Sequence, residues 1–166
     1  MGRFRLLLAC VLLSFPTGLF GQPQRDFSGV WTLVETRGDS GLSLIGQRGS
    51  IVHTAETLTA TPLVITSRPS NLDGKARTLR LDGTDVRETG RSASGESFVW
   101  VSKAQWISNA LLIITSHPRQ GETEGGWQSL MTLSLLGDGQ LEILLVSPNL
   151  WPFGTTNSSR FVYRRE

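Results

Sequence analysis

Asp26-Phe27-Ser28-Gly29-Val30-Trp31-Thr32-Leu33 is the stretch on which the fold turns. A Gly-x-Trp leads into an alternating run with β-branched residues, the pattern of a half-buried strand, here residues 30–36. If Trp31 opens the first strand of a closed barrel, the rest of the chain must supply the other staves. Immediately upstream the chemistry is different. Arg3 and Arg5 precede an apolar run over residues 6–15, which Pro16 and Gly18 interrupt. That is the layout of a secretory signal peptide, shorter than the ~20 apolar residues of a bilayer-spanning helix. Cleavage is expected after Gly21, giving residues 1–21 as the signal and 22–166 as one domain. The single cysteine, Cys10, follows Leu7-Leu8-Ala9 and superficially resembles a lipid-attachment site. An ordinary cysteine in the apolar part of the signal is the better reading, because only nine residues precede it.

The full chain carries 16 basic and 14 acidic residues, and Arg3 and Arg5 leave with the signal, so 16 less two gives 14 against 14. A formally neutral domain lacks the positive field that nucleic-acid binding draws on, so no nucleic-acid partner is expected. Without Cys10 it also has no disulfide to form. About 145 residues are enough to bury a self-sufficient core.

Downstream of Trp31 the signals are consistently β. Residues 37–49 hold four glycines around Leu42, Leu44 and Ile45 and read as a long loop or a loop with one helical turn on a barrel mouth. Strands are expected at 50–54 and 57–66, with Pro62 at a bend or an edge because proline cannot donate to a ladder. Residues 68–74 form a loop. Asp82-Gly83 separates two alternating runs, which predicts a hairpin, since such turns need positive φ. Residues 97–103 and 105–107 read as strand, Asn109 as a turn, and 111–116 as an apolar strand. The polar segment 119–126 suits a hairpin tip. Residues 127–136 and 140–147 flank Gly137-Asp138-Gly139 as a second hairpin, and 160–164 form the last strand. The sum is an all-β, antiparallel up-and-down barrel of about eight to ten strands, with no amphipathic helix after the signal.

Catalytic and metal signatures are missing. His53 and His117 are the only histidines, there is no HExxH, CxxC or phosphate-binding glycine loop, and Gly38-Asp39-Ser40-Gly41 lacks the spacing of a nucleophile elbow. Glu122 and Glu124 read as a solvated tip rather than a cation site, and Asp82 and Asp138 as turn residues. No catalytic residue, metal or cofactor is assigned. The five tryptophans are more informative. Trp31, Trp100, Trp106 and Trp127 fall in strands, where core packing is the plain reading and a ligand-lined barrel the functional one. Trp151 and Phe153 lie in a proline-flanked loop that folds back onto the protein, lids a barrel mouth, or touches a partner or a membrane surface. Trp100, Trp106, Trp127, Trp151 and Phe153 are the candidate ligand-binding residues. Asn157-Ser158-Ser159 is a glycosylation sequon.

Gly29-Val30-Trp31 on the first strand, taken with Arg160 on the last, resembles the lipocalin and broader calycin pattern. That resemblance implies a Trp at the closed end of an up-and-down barrel with an Arg across its ring, a cation–π fastening of first and last strands. It assigns barrel closure to Gly29, Trp31 and Arg160. The region after the signal also resembles small secreted bacterial proteins with a lipocalin-like reading, through residues 27–31, Leu81-Asp82-Gly83, Ala104-Gln105-Trp106, 111–114 and Tyr163-Arg164. The chain departs from lipocalins in three places: Thr84-Asp85-Val86 lacks the family's tyrosine, and no disulfide or C-terminal helix is evident.

The expectation is a secreted or periplasmic, non-catalytic barrel that binds a small hydrophobic or amphipathic ligand, with no stable membrane span after the signal. The alternatives are a cell-envelope interaction protein docking through a strand edge or the Trp151–Phe153 loop, and a barrel enzyme using His53 or His117 beside carboxylates.

Overall fold

The structure, a computed structural model, describes residues 25–38, 44–64, 75–91, 97–117, 127–148 and 156–166, with Arg91, Phe98 and Trp127 among the residues described through their backbones alone. The expected signal with Cys10, Glu122 and Glu124, and the loop with Trp151 and Phe153 lie outside these residues.

Ten strands form one antiparallel sheet. They are β1 (Gly29–Gly38), β2 (Arg48–His53), β3 (Thr57–Val64), β4 (Arg77–Arg80), β5 (Val86–Arg91), β6 (Ser97–Ile107), β7 (Ala110–His117), β8 (Trp127–Leu135), β9 (Leu141–Pro148) and β10 (Thr156–Arg165). Their order is β4-β3-β2-β1-β10-β9-β8-β7-β6-β5. The expected all-β up-and-down barrel is therefore what the chain forms, nearly closed. Among the described residues no helix is long and apolar enough to cross a membrane.

Alternation sets the two faces. On β3, Leu58 and Ala60 are buried while Leu63 and Val64 are exposed, and on β7 Leu111 and Ile113 are buried. Side chains of period two therefore place Ile51, Leu58, Ala60, Leu79, Ala104, Leu111, Ile113, Leu133, Ile143 and Phe161 in a continuous core. A bulge between Leu33 and Glu35 shifts the β1–β10 register, the kind of kink by which a sheet curls. Pro62 pairs with Gly49 on β2, beyond the Thr57–Ala60 stretch that β4 covers, so its missing N–H breaks no ladder to β4.

One sequence expectation is corrected here. Asp82-Gly83 does not close a hairpin: β4 pairs only with β3 and β5 only with β6. Asp82 instead accepts hydrogen bonds from the Thr84 amide and hydroxyl (2.9 and 2.6 Å) and pairs with Arg80, an Asx-type turn in which Gly83 takes φ +80°. Among the described residues the two flanking strands are thus the borders of an unladdered seam. The segment after β1 also adds no helix among its described residues. At 44–46 it turns into the barrel: Leu44 and Ile45 are buried, the Tyr163 hydroxyl donates to the Gly46 carbonyl (2.8 Å), and Gly49 is glycine because a Cβ there would lie 2.5 Å from the Ile45 carbonyl oxygen.

Strand direction separates the connections. One end carries 54–56, 81–85, 108–109 and 136–140, all short. At the other end β1, β3, β5, β7 and β9 finish.

Candidate functional site

The end with short turns is sealed. Phe27 and Trp31 are fully buried, and the Trp31 indole N–H donates to the Phe27 carbonyl (2.9 Å). Phe27 stacks on Trp106 with centroids 5.6 Å apart and planes 7° from parallel. His53 completes the cluster, accepting the Phe27 amide at Nδ1 (3.3 Å) with Asp26 3.6 Å away. Burial lowers the His53 pKa, and the Asp26 carboxylate partly opposes that shift. The His53 Nε2 and Trp106 Nε1 atoms are buried without a hydrogen-bond partner. Arg165 lies over Trp31 from outside, its guanidinium carbon 4.8 Å from the ring centroid. Gly29, at φ +146°, keeps that approach open, since a Cβ would stand 3.2 Å from Arg165 Nε.

The cation over Trp31 is therefore Arg165 and not Arg160. Antiparallel register puts Trp31 opposite Arg165 and Arg160 opposite Arg37, well up the strand. Arg160 still ties β10 to its neighbours, on the outer face, through Glu142 (2.6 Å) and Glu35 (3.2 Å).

Toward the other end the interior changes character. Arg77 on β4 reaches across the seam to Glu88 on β5 (Nη2 to Oε2, 2.8 Å) and donates to Ser102 on β6 (2.9 Å). The Trp100 indole N–H donates to the same Glu88 oxygen, and the Arg77 guanidinium sits 5.7 Å from the Trp100 ring centroid. Ser102 shares a hydrogen bond with Thr115 (3.2 Å), and His117 packs on Trp100 at a centroid distance of 6.5 Å. Burial, then the charge of Arg77, push the His117 imidazole down to about 4, so it is neutral at pH 7. The result is a belt of polar and aromatic groups above an apolar core. Arg77 and Glu88 are only 13% and 23% exposed, so their ion pair is made in a partly dry setting where it orders both side chains.

Of the candidate ligand residues, Trp100 lies in this belt and Trp106 in the seal. Trp127 is the β8 register partner of His117. Gly29 pairs with Ile51 of β2, and Trp31 pairs with Gly49 of β2 and Arg165 of β10. His53 and His117 occupy opposite ends of the barrel, so they do not form one site, and among the described residues no group of three or more His, Cys, Asp or Glu is arranged to hold a metal. The asparagine of the sequon, Asn157, lies within β10, opposite Ser147.

Sequence reasoning passed over Arg77, Glu88, Ser102 and Thr115. The signal was phase. Arg77 shares its face with Leu79, Ser102 with Trp100 and Ala104, and Thr115 and His117 with Leu111 and Ile113. A polar residue in step with apolar ones points inward.

No family model matches the sequence, and no curated protein matches it. Among solved structures 56 chains match. One, titled REP1-NXSQ fatty acid transporter, superposes with a TM-score of 0.53 at 13% identity, covering 84% of this chain and 95% of that one. The likeness is one of fold.

Proposed function

We propose that this chain is an exported, non-catalytic binding protein that takes a small hydrophobic or amphipathic molecule into its barrel from the end opposite Trp31. The observation that carries the reading is the polarity gradient of the interior. An aromatic seal closes one end, an apolar core follows, and a few convergent polar groups with Trp100 stand at the other, which is the composition of a ligand site. The fatty-acid-transporter title of one fold neighbour is in keeping with this. Export rests on the layout of residues 1–21.

Titration with aliphatic and aromatic compounds should give a saturable change in tryptophan fluorescence, and Trp100→Phe should reduce its amplitude. A folded protein that binds none of the panel overturns the proposal.

A second reading, envelope docking, draws support from the outer face of β8–β9. Leu130 and Val146 are register partners and, with Leu144, are 39–41% exposed. Leu130→Ser with Val146→Ser should then abolish association with an envelope partner without lowering the melting temperature.

A further inference from the structure

We propose that the barrel selects an amphipathic ligand whose polar end is uncharged, a hydroxyl, amide or ester, and discriminates against carboxylates, because Glu88 already occupies the guanidinium of Arg77. This deepens the ligand-binding reading and rests on it.

Among the described residues facing the belt, the charged side chains are Arg77 and Glu88. They neutralise each other. Arg77 spends Nε and Nη2 on Glu88 (2.9 and 2.8 Å) and shares Nη2 with Ser102, while one carboxylate oxygen of Glu88 takes donors from both Arg77 and Trp100. His117 adds no charge at neutral pH. An entering carboxylate would put a second anion beside Glu88 against a single cation. Like charges at that range disfavour ionisation of one partner, and a half-buried anion without its own counter-charge is costly. A cationic head group would face Arg77 in the same way. A hydroxyl or amide meets no such opposition: the Ser102 and Thr115 hydroxyls each both donate and accept, and the carboxylate accepts further donors.

The test compares dodecanol, dodecanamide, dodecanoate and dodecylammonium, identical in chain length, by calorimetry or fluorescence at pH 7.5. Dodecanol and dodecanamide should bind at least tenfold more tightly than either ion. Glu88→Gln, which leaves Arg77 uncompensated, should raise dodecanoate affinity at least tenfold and erase or reverse the ranking. Dodecanoate binding as well as or better than dodecanol to the unaltered protein overturns the selectivity alone. Binding of none of the four overturns the ligand-binding reading and this inference together. If Glu88→Gln fails to fold, the ranking on the unaltered protein decides.

Discussion

Arg165 and Trp31 face each other as register partners at the barrel's junction, so the last strand supplies a cation to the ring that begins the first. A double-mutant cycle on this pair should return a coupling of about 0.5–1 kcal/mol, the size of a cation–π contact at an exposed site. The matching cycle of Trp31 with Arg160 should return none. Trp31→Ala should cost roughly 3–5 kcal/mol, since it empties a fully buried site. A Trp31→Ala protein with an unchanged melting temperature would remove the closure role.

Two indoles in the same seal differ in one bond. Trp31 donates to Phe27, whereas the buried Trp106 nitrogen has no partner. Trp106→Phe is expected to destabilise less than Trp31→Phe, by about 1 kcal/mol, because only the second leaves a carbonyl deprived of its donor. Urea denaturation of both variants reads the difference, and equal costs would count against it.

The inward turn at Leu44 and Ile45 depends on a close approach. Gly49→Ala would bring a Cβ to 2.6 Å from Ile45 Cβ as well as onto its carbonyl, so backbone must move. A loss of about 2 kcal/mol or more is expected, of the order seen for overpacking. Tyr163→Phe, which removes the hydroxyl's bond to Gly46, should cost about 1 kcal/mol. Thermal melts that find Gly49→Ala the milder change would show that the turn is not packed this way.

Acidification should weaken the fold before the carboxylates titrate. His117 falls from its ordinary 6.5 to about 4, and burial lowers His53 as well. Between those two values the unfolded chain binds more protons than the folded one, so stability declines as pH drops from about 6.5 toward 4 and is fully present above 6.5. The melting temperature should therefore fall between pH 7 and pH 5, and His117→Gln should flatten that slope. A melting temperature that rises on acidification, or an unchanged slope in the variant, would contradict it.

Much of this architecture was readable from alternation alone. Residues 30–36, 57–64 and 128–135 announce their strands because one face is buried and the other is not, while 111–116 does so as an apolar run. Non-local facts were less accessible. Asp82-Gly83 carries a hairpin's local chemistry, yet whether its arms pair depends on where the sheet runs out of strands. Which arginine covers Trp31 depends on the β1–β10 register, which spacing along one strand cannot reveal. The belt was overlooked because an Arg or Glu within a strand is ordinarily taken for its wet face, and only its phase with Leu79 or Trp100 says otherwise.

Arg165 donates to the Asp26 carbonyl (3.1 Å) and the Glu166 amide to Val30 (2.9 Å), while Arg25 reaches the Leu135 carbonyl, so Arg25 and Glu166 are both tied to the sealed end. Anything spliced to either position, whether a tether, an affinity handle or a fluorescent reporter, leaves from the base of the vessel and keeps clear of its mouth.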